Sequence, residues 1–220
     1  KYLLKQQVIF VLTLLSILFA NTIYAQVVDY PFNGNLNNVV NSVNGTSLEW
    51  VNETPIPSTP SYVTTPSGGQ GIDLATNQYV LMDDSFMSLI ASDDSFELDI
   101  DFRYTYTGPV SDDSEGRKPI YGSKLVGNQS PGLTMETYRS SATTFDIYLG
   151  FSDGNEETIA YFIVNPVPLN INEEINISLK IDYEAKSWFF KANDIYNFDF
   201  FAESFDMDIF KNALQTIPAY

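Results

Sequence analysis

Three carboxylates stand two residues apart in SFELDIDFRYTY, residues 95–106: Glu97, Asp99 and Asp101. They alternate with Phe96, Leu98, Ile100, Phe102, Tyr104 and Tyr106, which puts them on one side of a single β-strand, because side chains along a strand point to opposite faces in turn. Paired carboxylates on one face are the equipment of glycoside hydrolysis, one serving as acid and the other as nucleophile or base. The spacing does not favour it. Same-face neighbours at i, i+2 lie ~6.6 Å apart and at i, i+4 ~13 Å apart, whereas a retaining pair must converge to ~5.5 Å. Asp101 is also a methylene shorter than Glu. Arg103, Thr105 and Thr107 share the face and supply neither apolar neighbours to raise an acid's pKa nor rings to carry a sugar. The face reads as the solvated side of a half-buried antiparallel strand.

Other oxygen-rich clusters lie between the apolar runs. Asp83-Asp84, Asp93-Asp94, Asp112-Asp113 and the group Asp153, Asn155 and Glu156 place oxygen ligands at the close spacing calcium uses. Asp112, Asp113, Asp153, Asn155 and Glu156 are the candidate metal ligands, and solvated loop charge is the competing explanation for each cluster. Trp50 and Trp188 are the candidate sugar-stacking residues, although each sits in a strand beside apolar residues, where core packing is the stronger explanation. The chain contains no His and no Cys. Ser-His-Asp and Cys-His catalysis and ordinary zinc sites are therefore excluded, and no disulfide can staple the fold. Carboxylate chemistry and oxygen-ligated calcium remain.

The N-terminus sets the compartment. Lys1 and Lys5 precede an apolar run, Val8 to Phe19, and ANTIYAQ then offers Ala25 as a small residue before a cut at Gln26. The run is shorter than the ~18 apolar residues of a membrane span, so residues 1–25 read as a secretory signal peptide and residues 26–220 as a secreted or cell-surface domain. Removing 25 residues from 220 leaves 195, enough for one domain with its own core. Losing the two lysines takes the formal charge from −17 to −19. Nucleic acid and anionic membranes would be repelled, and the mature chain carries no membrane span. The chain opens with Lys rather than Met, which reads as a fragment of a longer frame.

Elements that could hold these groups are almost all strands. Period-two runs cover Val27–Phe32, Thr46–Val51, Tyr79–Met82, Phe96–Tyr106, Ile120–Lys124, Leu133–Tyr138, Thr144–Phe151, Thr158–Val164, Ile175–Asp182, Trp188–Ala192 and Ile195–Phe201. Turn residues separate them, and DGN at 153–155 is a short-hairpin signal. Only DMDIFKNAL, residues 206–214, has a helical pattern. TPIPSTPSYVTTPS, residues 54–67, reads as a Pro/Thr/Ser-rich loop on the rim. The pattern predicts an all-β, two-sheet antiparallel sandwich of the jelly-roll kind with Phe96, Leu98, Ile100 and Phe102 turned inward.

Four stretches carry a family resemblance. VVDYPFNGNLNNVVNSVNGT (27–46) resembles the opening of the laminin-G-like, concanavalin A-like jelly rolls, with its aromatic strand, Phe-x-Gly-Asn and later Gly-Thr. GQGIDLATNQYVLM (69–82), DSFELDIDFRY (94–104) and INISLKIDYEAKSWFFKAND (175–194) resemble later segments of that family in the same order. Asn37 and Asn38 stand where the family has Asp and Ser-Gly, and Asn193-Asp194 replaces Asn-Gly. The resemblance implies a concanavalin A-like jelly roll, a glycan or extracellular surface ligand, and calcium as a possible cofactor. Glycoside hydrolases of the superfamily carry Glu-x-Asp-x-Glu on one strand, and Glu97, Asp99 and Asp101 come within one residue of it. The function expected is a non-catalytic glycan-binding or adhesion module. Its alternatives are a polysaccharide hydrolase using Glu97 and Asp101, and a structural spacer. The family closes its sandwich with a strand of the Ile-Asp-Asp type, so a domain ending at Tyr220 is expected to lack its last strand.

Overall fold

The computed structural model describes residues 34–36, 45–51, 54–65, 68–74, 78–82, 94–105, 108, 110, 117–122, 130–155, 160–163 and 168–217. Residues 1–25, which the sequence reads as a signal peptide, the strand expected at Val27–Phe32 and the chain end at 218–220 lie outside them. The described strands are β1 (Thr46–Val51), β2 (Thr54–Pro57), β3 (Ser61–Thr64), β4 (Gln70–Asp73), β5 (Gln78–Leu81), β6 (Ser95–Arg103) and β7 (Arg117–Gly122). They continue with β8 (Gly132–Arg139), β9 (Thr144–Ser152), β10 (Ala160–Ile163), β11 (Leu169–Asn170), β12 (Glu174–Asp182), β13 (Ser187–Ala192) and β14 (Ile195–Phe200). One helix follows, α1 (Met207–Thr216).

The fold is an antiparallel all-β sandwich. One sheet runs β14-β13-β12-β6, and the other runs β10-β9-β8-β7 with β11 added on β9. Two smaller units, β2-β1-β5 and the β3-β4 hairpin, complete the strands. Alternation decides which face each strand buries. Phe96, Ile175, Ile177, Leu179, Ile181, Trp188 and Phe190 line the inner face of the first sheet, with Leu98, Ile100 and Phe102 packed against the same core. Leu133, Met135, Phe145, Ile147, Leu149 and Phe151 line the second. The faces meet through rings: Phe102 stands edge-on to Phe145 at 6.0 Å, and Phe151 lies 5.7 Å from Trp188. Each such side chain withdrawn from water contributes about 1.5–3 kcal/mol, which is how a chain without disulfides holds together.

Helix α1 seals one end. Asp206 caps it, accepting from the amides of Asp208 at 3.1 Å and Ile209 at 3.0 Å. Met207, Phe210, Ala213 and Leu214 form its buried stripe, and Phe210 reaches Phe151 at 6.1 Å.

The stretch 54–67 departs from its expected loop character. It supplies β2 and β3, despite Pro55, Pro57 and Pro60. The reason is position. β2 is the edge of its sheet, and Pro55 and Pro57 lie two residues apart, so their missing N–H groups fall on one side of the strand. Ser58 secures the return by donating its amide to the Ser47 carbonyl at 3.1 Å and sharing a 2.8 Å hydroxyl contact with Ser47. β9 and β10 pair antiparallel with Phe151 opposite Ala160, in keeping with the DGN hairpin signal, and Gly154 between them has φ 89°, while residues 156–159 lie outside the described residues.

Candidate functional site

The β6 carboxylates face outward, and each meets a polar partner on β12. Register sets Glu97 opposite Lys180, Asp99 opposite Ser178 and Asp101 opposite Asn176. Lys180 Nζ lies 2.5 Å from Glu97 Oε1, with side-chain exposures of 40% and 39%. Asn176 Nδ2 donates to Asp101 Oδ1 at 2.9 Å. These are cross-strand pairs of the kind that stabilise a wet sheet face. Glu97 is ion-paired at a partly exposed surface, and Asp101 is engaged along the strand pair.

Of the candidate calcium ligands, Asp112, Asp113 and Glu156 lie outside the described residues, as do Asp83, Asp84 and Asp93. Asp153 is described and only 4% exposed. Its Oδ1 accepts from the Asn155 amide at 2.9 Å and its Oδ2 from the Asp206 amide at 2.7 Å. Both oxygens thus serve backbone donors, tying the end of β9 to the residue that caps α1. Among the described residues no three acidic side chains gather to hold a metal. Trp188 is 1% exposed in the core, so it is not a platform for a ligand. Trp50 sits on β1 opposite Pro55, and its side chain falls outside the described set.

A different face brings chemistry together. Because Leu133 and Met135 of β8 and Phe145, Ile147, Leu149 and Phe151 of β9 turn inward, the outer face carries Thr134, Glu136 and Tyr138 beside Asp146, Tyr148 and Gly150. Register places Glu136 opposite Tyr148 and Tyr138 opposite Asp146. The rings of Tyr138 and Tyr148 lie 4.7 Å apart at 44°. The Tyr138 hydroxyl shares hydrogen bonds with Tyr148 and with the Asp146 carboxylate. Its pKa is pushed well above the ordinary phenol value, first by burial and then by those hydrogen bonds and the Asp146 charge. Asp146 is 7% exposed, and Thr134 Oγ1 donates to Glu136 Oε1 at 3.5 Å. The result is two half-buried rings, two carboxylates and a glycine on one sheet surface. The arrangement offers two tyrosine rings to the apolar face of a small ring, while Asp146 and the Glu136 Oε2 atom beneath them are covered. Sequence reasoning missed it, although the alternation in LTMETYR and TFDIYLGFS holds the signal.

Two other features compete for attention. Tyr196, Phe198 and Phe200 form an outward stripe on β14, 56–60% exposed. Phe198 and Phe200 stand at 83° to each other, so they do not form the coplanar surface on which a sugar chain would lie. The second is a cleft of about 560 Å³ beside α1, bordered by Tyr183, Lys186, Glu203, Asp206 and Lys211. Its charges hold the helix seam: Lys186 Nζ donates to the carbonyls of Phe205 at 3.2 Å and Glu203 at 3.5 Å, and Lys211 Nζ lies 5.7 Å above the Tyr183 ring.

No family model, curated protein or solved structure matches the chain. No helix among the described residues is long and apolar enough to cross a membrane.

Proposed function

We propose that the protein is a non-catalytic glycan-binding module of a secreted or cell-surface protein, with its sugar contacts on the outer face of the β10-β9-β8-β7 sheet. The observation that carries the reading is the Tyr138–Tyr148 pair, 4.7 Å between rings, with Asp146 hydrogen-bonded to it. A sugar ring has an apolar C–H face and a rim of hydroxyls. Half-buried tyrosine rings receive the first, and phenol hydroxyls can exchange hydrogen bonds with the second. The resemblance of residues 27–194 to laminin-G-like, concanavalin A-like jelly rolls points to the same ligand class.

Calorimetric titration with laminari-, cello-, xylo- and manno-oligosaccharides tests the proposal. At least one series should bind, and Tyr148→Ala should weaken it by about tenfold or more, which is ~1.4 kcal/mol. Tyr138→Phe should weaken it less while leaving the melting temperature close to that of the parent. Release of reducing ends from any of these sugars, abolished by Glu97→Gln, would replace binding by hydrolysis. Absence of binding throughout would leave a spacer.

A further inference from the structure

We infer that this site selects uncharged glycans and rejects those bearing uronic acid or sulfate groups, an inference that rests on the glycan-binding reading above. Asp146 and Glu136 are diagonal neighbours across the β8–β9 pair, since Glu136 pairs with Tyr148 and Asp146 with Tyr138. Asp146 is fixed by its hydrogen bond with Tyr138, and Glu136 is half-buried. Neither carboxylate is displayed on a long mobile arm that could swing away from an incoming anion.

The cations nearby are mostly turned elsewhere. Arg139 lies on the inner register of β8, opposite Phe145. Its guanidinium donates to the carbonyls of Ser141 at 2.8 Å, Ala142 at 2.9 Å and Gly108, which commits it to the hairpin. Lys118 pairs with Thr137, also on the inner register. Arg117 pairs in register with Tyr138, and its side chain lies outside the described residues. Two carboxylates therefore stand on the outer face of β8 and β9, where the described residues of those two strands place no cationic side chain, within a chain of net charge −17.

A ligand carboxylate or sulfate settling over the tyrosines would lose its water beside two fixed like charges. At ~7 Å and an effective dielectric of ~20 that repulsion corresponds to a penalty of tenfold or more in affinity. A neutral hydroxyl meets no such penalty.

The test compares one polymer with its own charged derivatives: laminarin, cellulose oligosaccharides or xylan, each neutral, carboxymethylated and sulfated, titrated into the whole chain. The neutral form should bind at least tenfold more tightly than either derivative. Raising salt should narrow that gap, because the repulsion is screened over a Debye length of ~10 Å at 0.1 M. Glu136→Gln and Asp146→Asn should each narrow it too, and Glu136→Gln serves if the more buried Asp146 variant fails to fold. Charged forms that bind as tightly as neutral ones, or more tightly, would overturn the selectivity while leaving glycan binding in place. No binding by any form would remove the glycan reading and this inference with it.

Discussion

A single buried carboxylate shows how much backbone one side chain can hold. Asp153 lies in an acidic, glycine-containing loop and looks like a calcium ligand, yet its two oxygens accept from the Asn155 and Asp206 amides. Removing them strands two backbone donors next to a helix cap. Asp153→Ala should cost about 1–3 kcal/mol in urea unfolding, with Asp153→Asn losing less because one acceptor survives. Glu97 and Asp101 predict the opposite outcome. Their partners Lys180 and Asn176 sit at an exposed surface, so Glu97→Gln and Asp101→Asn should each change stability by less than ~1 kcal/mol and leave glycan affinity unaltered. A large loss of binding or turnover in either would restore the β6 face as the site. The tyrosines set the alkaline limit. Burial raises the pKa of Tyr121, Tyr138 and Tyr183 above the ordinary value near 10. The folded chain therefore keeps protons that the unfolded chain releases, so their contribution is whole below about pH 10 and declines as pH rises beyond it. Urea melts on either side of about pH 10 should show that decline, and a flat profile would contradict it.

At the scale of elements, much of the sandwich could be read directly. β1 coincides with the run Thr46–Val51, and β6, β12 and β13 match their period-two runs to within a few residues at the ends. Phe96, Leu98, Ile100 and Phe102 turn inward because nothing in that stretch breaks the alternation. The helix was legible because Asp206 precedes a spaced apolar set. The candidate site was not, because it depends on register. Glu136 and Asp146 meet only because the β8–β9 hairpin closes where it does, held by Ser140 and Ser141 amides donating to the Thr144 carbonyl and by Arg139 bracing the loop. The loop sequence SSAT contains no Gly or Asn to announce that turn. The prolines of β2 misled for a related reason, since edge position is a property of the sheet and not of the segment. β14 yields its own prediction. Phe198 and Phe200 are more than half exposed, so Phe198→Ser with Phe200→Ser should leave the melting temperature nearly unchanged and lower light scattering at high concentration. A cooperative loss of stability would show that the stripe is covered.

For the whole molecule, the two sheets divide the work. Their inner faces supply a disulfide-free core rich in Phe, Leu and Ile, closed at one end by α1. The outer face of β14-β13-β12-β6 carries polar cross-strand pairs, one of them the Lys180–Glu97 ion pair, bordered by the β14 aromatics. The outer face of β10-β9-β8-β7 gathers the tyrosines and carboxylates on which the glycan reading depends. Backbone amide NMR mapping of a bound neutral oligosaccharide, chosen from the series that binds, tests that division most directly. Shifts concentrated within residues 132–139 and 144–152, centred on Glu136, Tyr138, Asp146 and Tyr148, are the predicted result. Shifts centred instead on residues 95–103 and 174–182, or on 195–200, would contradict it.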